Sequence, residues 1–174
     1  MQIWIILFHF YNKNLIIVIE KDKEVGMALI PFDDRDGFIW LDGQMVTWRE
    51  AKTHILCHGL HYASSVFEGE RSYSGKIFKS AEHTARLRAS CKFLDFDLPM
   101  SDKDMEEIKY QVLDANGVID GYLRPFCWRG SEMMAISAQD TTTHVGVAAW
   151  NWPSYFDPET KMKGIKLDIS NWRR

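Results

Sequence analysis

Two tight turns between short alternating runs restrict the possible folds of this 174-residue chain more than any other feature. The turns and their flanking runs are Asp42-Gly43 between Phe38–Leu41 and Met45–Trp48, and Ser74-Gly75 between Arg71–Tyr73 and Lys76–Phe78. Such a dipeptide between two apolar runs is typical of a two-residue β-hairpin, whose central residues need positive φ angles. The sequence therefore predicts two antiparallel strand pairs.

Two amphipathic helices are predicted after the second hairpin. Their apolar residues recur at helical spacing and are Leu87, Cys91 and Leu94, then Met105, Ile108 and Val112. We expect Ser80 to cap the first helix, while Ser101 and Asp104 have the spacing of a capping box for the second. Asn116-Gly117 is expected to end the second helix.

Further strands are predicted at Tyr122–Arg129 and at His144–Trp152, and Ile165–Ile169 looks like the first strand of another domain. Pro125 indicates that the first of these strands lies at a sheet edge or ends there, because proline has no backbone N–H. Strand pairs mixed with two helices predict an α+β fold, a small domain with an antiparallel sheet.

The chain divides into four segments in this interpretation. They are an extension at residues 1–26, the small domain at 27–150, a connector at 151–164 and the start of a further domain at 165–174. Met27 is then the expected true start, and a hairpin turning at Asn12–Asn14 is the alternative for the extension. Its apolar runs are shorter than the ~20 residues of a membrane-spanning helix, so no membrane partner is expected.

Composition excludes several classes of protein. A hydrophobic content of 46% and a charged content of 26% are those of an ordinary globular protein. The net charge of −3 gives no broad basic field, so nucleic acid is not an expected partner. The three cysteines, an odd number with no C-x-x-C spacing, indicate reduced thiols and a cytoplasmic location.

The stretch from His58 to Arg71 holds the first candidate binding residues. Phe67, Gly69 and Arg71 share parity, so on an extended backbone they would present an aromatic wall, a gap and a guanidinium on one face. That face would suit a small anionic molecule with an apolar body, although a half-buried strand edge with a chance arginine has the same pattern. Tyr122 and Arg124 likewise share a face, and an arginine beside a tyrosine hydroxyl can bind a carboxylate.

A metal site is the weaker alternative. His54, His58 and His61 would lie on one face of a helix, but Gly59 weakens that helix. No acid or cysteine at suitable spacing completes the set, so hydrogen-bonded structural histidines are preferred and no metal is expected. Glycine-rich phosphate loops and a G-x-S-x-G elbow are absent from the sequence.

Several motifs in a fixed order go further than any single pattern. They are "WLDGQMVTWREAKTHILCHGLHYASSVFEGERSY", "EHTARL", "YLRP", "RGSEMM" and "AAWNWPSYF". With them, the chain from Phe38 to Arg174 resembles the N-terminal part of branched-chain amino acid aminotransferases, which are fold type IV enzymes that use pyridoxal phosphate. The resemblance implies a transaminase acting on leucine, isoleucine or valine with 2-oxoglutarate, and a homodimer or larger homo-oligomer.

The resemblance also implies roles for individual residues. Arg86 matches the arginine that holds the cofactor phosphate. Arg124, with Tyr122, matches the pair that receives a substrate carboxylate, and Arg71 matches the residue that receives the side-chain carboxylate of glutamate. The residues that match the walls of the side-chain pocket are Phe67, Gly69, Trp152 and Tyr155, and those that match contacts across a dimer interface are Tyr62, Met134 and Ile136.

The lysine that binds the cofactor covalently lies beyond Arg174 in the family pattern. Lys161, Lys163 and Lys166 lack the surrounding motif, so no catalytic residue is assigned in this chain and it is expected to be inactive alone. Two alternatives remain. One is a related enzyme of the same fold, a D-amino acid aminotransferase or an aminodeoxychorismate lyase, and the other is a non-catalytic dimerising or binding module.

Overall fold

The computed structural model describes residues 2–10, 13–21, 30–152, 158–164 and 168–169. The strands are β1 Gln2–Phe10, β2 Lys13–Lys21, β3 Phe38–Leu41, β4 Gln44–Thr47, β5 Ser65–Phe67, β6 Glu70–Tyr73, β7 Lys76–Ile77, β8 Gly121–Arg129, β9 Thr143–Trp150 and β10 Asp168–Ile169. The helices are α1 His58–Tyr62, α2 Ser80–Phe93, α3 Asp102–Ala115 and α4 Pro158–Lys163, with a 3₁₀ turn at Trp48–Glu50.

The chain forms two compact units, which are described separately. The smaller unit combines residues 1–29 with residues 154–174. In its described part β1 and β2 form an antiparallel hairpin in which Phe10 faces Lys13, and β10 pairs with β2. The hairpin is the alternative that the sequence left open for the extension. The four predicted segment boundaries stay predictions.

The larger unit, Ile30–Pro153, is built on one antiparallel sheet. Its strand order is β4-β3-β9-β8-β6-β7, and β5 pairs with β8 on the same side as β6. The main core cluster combines α2 and α3 residues such as Leu87, Cys91, Met105 and Val112 with Leu123 of β8, so both helices cover one face of the sheet. The predicted α+β class is confirmed.

Both predicted hairpins are present, and their turns have the expected backbone angles. Asp42 and Gly43 have φ angles of 45° and 98°, and Ser74 and Gly75 have φ angles of 49° and 74°. Positive φ at both central residues is the requirement of the two-residue turn that matches the twist of a strand pair.

The two helices begin differently. At α3 the predicted capping box is present, since Asp104 N donates to Ser101 Oγ at 3.1 Å and Ser101 N donates to Asp104 Oδ2 at 3.3 Å. At α2 the predicted cap is wrong, because Lys79 holds the cap position with φ 56° and Ser80 is already helical. Leu94 lies past the end of α2 and is 38% exposed, so it does not continue the apolar stripe.

Pro125 does not mark a sheet edge, which corrects the sequence-based expectation. Strand β8 lies between β9 and the β5–β6 segment, and Pro125 is buried in its middle. Its carbonyl accepts the Glu68 N–H at 2.9 Å, but it has no N–H to donate back. The neighbouring strand is interrupted at this point, with β5 ending at Phe67 and β6 beginning at Glu70.

Burial alternates strictly along β8 and gives the sheet two different faces. Leu123, Pro125 and Cys127 point to the helices and are fully buried. The alternate residues, Tyr122, Arg124, Phe126 and Trp128, lie on the opposite face and are half-buried. Among the residues that the structure describes, no helix as long as α2 or α3 packs on that opposite face, which we call the open face.

Candidate active site

Register brings the predicted binding residues together on the open face. Arg71 pairs with Tyr122 and Phe67 pairs with Phe126, which places Gly69 beside Arg124. The shared face that parity predicted for Phe67, Gly69 and Arg71 is therefore present, and the face of Tyr122 and Arg124 is the same one.

Arg124 is the central cation of this face. Its Nη2 donates to the Tyr122 hydroxyl at 3.1 Å, and its guanidinium lies 4.5 Å from the centre of the Phe67 ring. Its Nε is buried and has no hydrogen-bond partner among the described residues. A buried N–H without a partner is costly, so this nitrogen is an unsatisfied donor within the face.

Gly69 explains how the tyrosine reaches the arginine. A Cβ at Gly69 would lie far inside van der Waals distance of Tyr122 Oη and 3.1 Å from Tyr122 Cζ. The gap that the sequence predicted in front of Gly69 is thus filled by the Tyr122 hydroxyl. Only a residue without a side chain permits this close approach.

Aromatic rings close one end of the open face. Tyr122 packs against Trp150 at 4.9 Å and against Trp152 at 4.8 Å between ring centroids. Arg71 joins this group because its Nη1 donates to the Trp152 carbonyl at 3.1 Å. Trp150 was not predicted as a site residue. Its ring contacts depend on the strand register, which the neighbouring residues in the sequence do not reveal. Tyr155 lies outside the described residues.

A cavity of about 420 Å³ opens beside Arg124 on the same face. Apolar side chains line most of it, including Ile39, Leu60, Phe67 and Phe126. A mostly apolar cavity with a few fixed polar groups is the usual form of a small-molecule site.

Arg86 lies on the helix side of the same strand segment. Its Nε donates to Glu68 Oε1 at 2.6 Å and its Nη2 donates to Glu68 Oε2 at 2.5 Å, while His83 Nδ1 lies 2.8 Å from Oε2. Burial raises the pKa of Glu68, but the hydrogen bonds from Arg86 and His83 outweigh it and hold that pKa below its usual value. The carboxylate therefore stays ionised and fixes the guanidinium.

The Arg86 side chain is 64% exposed, and within the described part of the chain its Nη1 makes no hydrogen bond. One edge of the guanidinium is held by Glu68 and the other faces outward. An outward-facing arginine edge fits the phosphate end of a cofactor, because a guanidinium binds phosphate through parallel N–H donors.

Helix α1 and the 130–142 loop form a further surface. The Tyr62 hydroxyl donates to the Met134 carbonyl at 3.2 Å, and Ile136 is 88% exposed. His58 is buried between Ser64 Oγ at 2.6 Å and the Ala135 carbonyl at 3.0 Å. The three-histidine face of the metal alternative does not form, because α1 begins at His58 and His54 precedes it.

Comparison with known proteins shows which family the chain belongs to. The model of the amino-transferase class IV family matches residues 65–174, and the chain belongs to that family, whose members use pyridoxal 5′-phosphate. Within the family, the similarity is to the N-terminal portion of branched-chain-amino-acid aminotransferases. The Pseudomonas aeruginosa enzyme of that name is 39% identical over 145 residues, which are 81% of this chain and 47% of the relative.

Solved structures show the same likeness. The branched-chain amino acid aminotransferase of Escherichia coli superposes with a TM-score of 0.68 at 34% identity, over 72% of this chain and 43% of that one. The T.th. enzyme of the same name, solved with pyridoxamine 5′-phosphate, gives a TM-score of 0.68 at 37% identity over the same shares. The chain spans about half the length of the curated relatives it matches.

No helix in the described residues is long and apolar enough to cross a membrane.

Proposed function

We propose that the complete protein is a pyridoxal-phosphate-dependent branched-chain aminotransferase that exchanges the amino group of leucine, isoleucine or valine with 2-oxoglutarate. The observation that carries this proposal is Arg124 on the open face, bonded to Tyr122 and backed by Phe67. Family membership and the similarity to branched-chain enzymes support the same reaction.

Carboxylate binding is the first task of the chain. Arg124 and Tyr122 supply a guanidinium and a hydroxyl that can together hold one carboxylate of the substrate. An ionic hydrogen bond of this kind is worth about 1.5–3 kcal/mol.

Accepting two kinds of side chain is the second task. Phe67 and the aromatic group around Trp152 give an apolar wall for a branched chain. Arg71 lies at the Trp152 end of this wall, where the longer acidic chain of glutamate would meet it. One pocket can therefore serve both substrates if the acid alone reaches the guanidinium.

The third task is to hold the cofactor by its phosphate, which we assign to Arg86. Glu68 and His83 orient the guanidinium, and its outer edge receives the anion. When bound, the cofactor supplies the electron sink for proton removal at the substrate α-carbon. The residues of this chain orient the substrate and its charges around it.

The 174-residue chain by itself is proposed to lack transaminase activity, because the family pattern places the cofactor-binding lysine in the part of the relatives that it does not span. The visible absorbance band of lysine-bound cofactor, removed by borohydride, is the measurement. Its appearance in the purified 174-residue chain would contradict this proposal.

We also propose a homodimer in which Tyr62, Met134 and Ile136 approach the neighbouring subunit. Exposed apolar residues around α1 support it, since Leu60 is 67% exposed and Ile136 is 88% exposed. Sedimentation of the complete protein tests the dimer, and a monomer at working concentration would contradict it.

The substrate proposal is tested with Arg71→Leu in the complete protein. The KM for 2-oxoglutarate should rise by about tenfold or more, as expected for a lost ionic hydrogen bond, while the KM for L-leucine stays within about twofold. Arg49→Leu is the matched control, because Arg49 pairs with Asp34 and Asp36 at the surface. Equal effects on both substrates would contradict the role of Arg71, and a preference for D-alanine over L-leucine would contradict the branched-chain assignment.

A further inference from the structure

Two acids on the helix face of the β5–β6 segment are buried, and each has its own cation. Glu68 is 4% exposed and pairs with Arg86 of α2, whereas Glu70 is fully buried and pairs with Lys109 of α3. The residues that alternate with these two acids along the chain, such as Gly69, lie on the open face. The β5–β6 segment, which carries the proposed substrate residues, is therefore linked by ion pairs on its helix face to both α2 and α3.

Lys109 is the centre of the second tie. Its side chain is fully buried, and Nζ lies 2.8 Å from Glu70 Oε1 and 3.1 Å from Glu106 Oε1. Nζ also donates to Thr84 Oγ1 at 2.6 Å and to the Ser80 carbonyl at 3.2 Å. The Ser80 hydroxyl, whose predicted capping role was wrong, belongs to this cluster at 3.2 Å from Nζ.

The segment needs such a tie because its backbone pairing is weak where the substrate residues lie. Opposite Glu68, Pro125 accepts one hydrogen bond and returns none. In the described residues β5 pairs with β8 alone, and β6 pairs with β7 only at Ser72 and Tyr73. A segment with one strand partner and a missing ladder bond has fewer backbone hydrogen bonds to oppose a slip than a strand that is paired on both sides.

A two-residue shift in the register of this segment is the alternative pairing that must be prevented, because it leaves every side chain on the same face of the sheet. In one direction the slip would place Ser72 opposite the Lys109 ammonium, which would lose Glu70 and keep only the partly exposed carboxylate of Glu106. In the other direction it would move Glu70 to the fully buried place of Ser72, away from Lys109, and would bring Glu68 to Lys109 in its place, so that Arg86 loses its carboxylate. Each slip separates Glu70 from Lys109, and separating the partners of a buried ion pair destabilises the fold.

On the open face, only a weaker steric barrier opposes the register shift. A slip of two residues would bring Phe67 or Arg71 to the place of Gly69, against the Tyr122 hydroxyl. That hydroxyl is the far end of a side chain that can rotate away, so this steric barrier can yield. The Lys109–Glu70 ion pair on the helix face cannot rearrange in this way, because Lys109 is fully buried.

We propose that Lys109 is a positioning residue whose buried pair with Glu70 locks the register of residues 65–73 against β8, and so sets where Phe67, Gly69 and Arg71 meet the substrate. Its effect on substrate rests on the proposed function, whereas the lock itself does not. Buried polar pairs have their best-attested use in setting register.

The test uses Glu70→Gln with Lys109→Met in the complete protein, which removes both charges and conserves volume. Lys103→Met with Glu107→Gln is the matched control, because it makes the same changes in an exposed pair of α3. Hydrogen exchange of the amides at 66–72 should accelerate by about tenfold or more in the test variant, while amides of β9 keep their protection. The KM for 2-oxoglutarate should rise several-fold with little change in kcat, and the control should match the wild type.

Two outcomes overturn the proposal: exchange at 66–72 as slow as in the control, or equal acceleration across β8 and β9, which would show a purely stabilising role. If the double variant does not fold, Glu70→Gln alone gives the same comparison, because Glu106 still balances the charge of Lys109. If the wild type shows no transaminase activity, the proposed function fails while the exchange measurement still decides on the lock.

Discussion

Replacing Gly69 by alanine tests the close approach on which the open face depends. The new Cβ would overlap Tyr122 Oη and lie 3.1 Å from Cζ, and Gly69 does not have the positive φ that would add backbone strain. Tyr122 must therefore either stay in a crowded position or rotate away from Arg124. Both responses have a cost that can be estimated.

Overpacking a well-packed site costs about 1–3 kcal/mol, and a hydrogen bond to a charged group contributes about 1.5–3 kcal/mol. The Arg124 bond to Tyr122 at 3.1 Å is the one at risk. We therefore expect Gly69→Ala to lower the free energy of unfolding by about 1–3 kcal/mol. Removing the overlapping hydroxyl by Tyr122→Phe should recover at least about 1 kcal/mol of this, since the remaining contact to Cζ is only tight.

The assay is a double-mutant cycle by urea unfolding of the complete protein, with wild type, both single variants and the Gly69→Ala/Tyr122→Phe variant. The two changes should be less than additive, because the second relieves the clash made by the first. Strict additivity within experimental error would show that the hydroxyl does not occupy the space in front of Gly69. The reasoning about the open face would then be refuted.

Three further predictions concern other parts of the larger unit. Ser101→Ala should destabilise the protein by about 1 kcal/mol in thermal unfolding, because it removes the capping box of α3, and an unchanged midpoint would contradict this. Because the pKa of Glu68 is held below its ordinary value of 4.5, its contribution to stability is present above pH 4.5 and is lost as the pH falls through its lower folded-state pKa. Glu68→Gln should therefore reduce the acid-induced loss of stability, and an unchanged pH profile would contradict the Arg86–Glu68 pairing. Cys57, Cys91 and Cys127 are all buried, and the hydrogen bond to Cys91 together with burial raises the pKa of Cys127. Alkylation mapped by mass spectrometry should label none of them before unfolding, and a native label would contradict their burial.

Features that depend on neighbours in the chain could be predicted from the sequence. The turns at Asp42-Gly43 and Ser74-Gly75 and the capping box at Ser101 follow from two to four adjacent residues. Parity likewise placed Phe67, Gly69 and Arg71 on one face, because side chains alternate along any strand. The family motifs added roles for these residues, which remain proposals.

Features that depend on distant partners could not be predicted. Pro125 lies in a central strand because the neighbouring segment is interrupted opposite it, which its own flanking residues do not reveal. Lys109 is enclosed although it stands in a charged helix, since Glu70 and Ser80 reach it from other elements.

The sequence by itself determined the two hairpins, the helices α2 and α3, the strands β8 and β9 and which residues could share a face, because these follow from backbone geometry and local side-chain chemistry. Tertiary structure alone decided that Arg124 would hold the hydroxyl of Tyr122, that Arg86 would be fixed by Glu68 and that Glu70 would meet Lys109. Each of these contacts is either set by strand register or made across the sheet–helix interface. Register and packing are properties of the folded chain, and they place the charges of the candidate site.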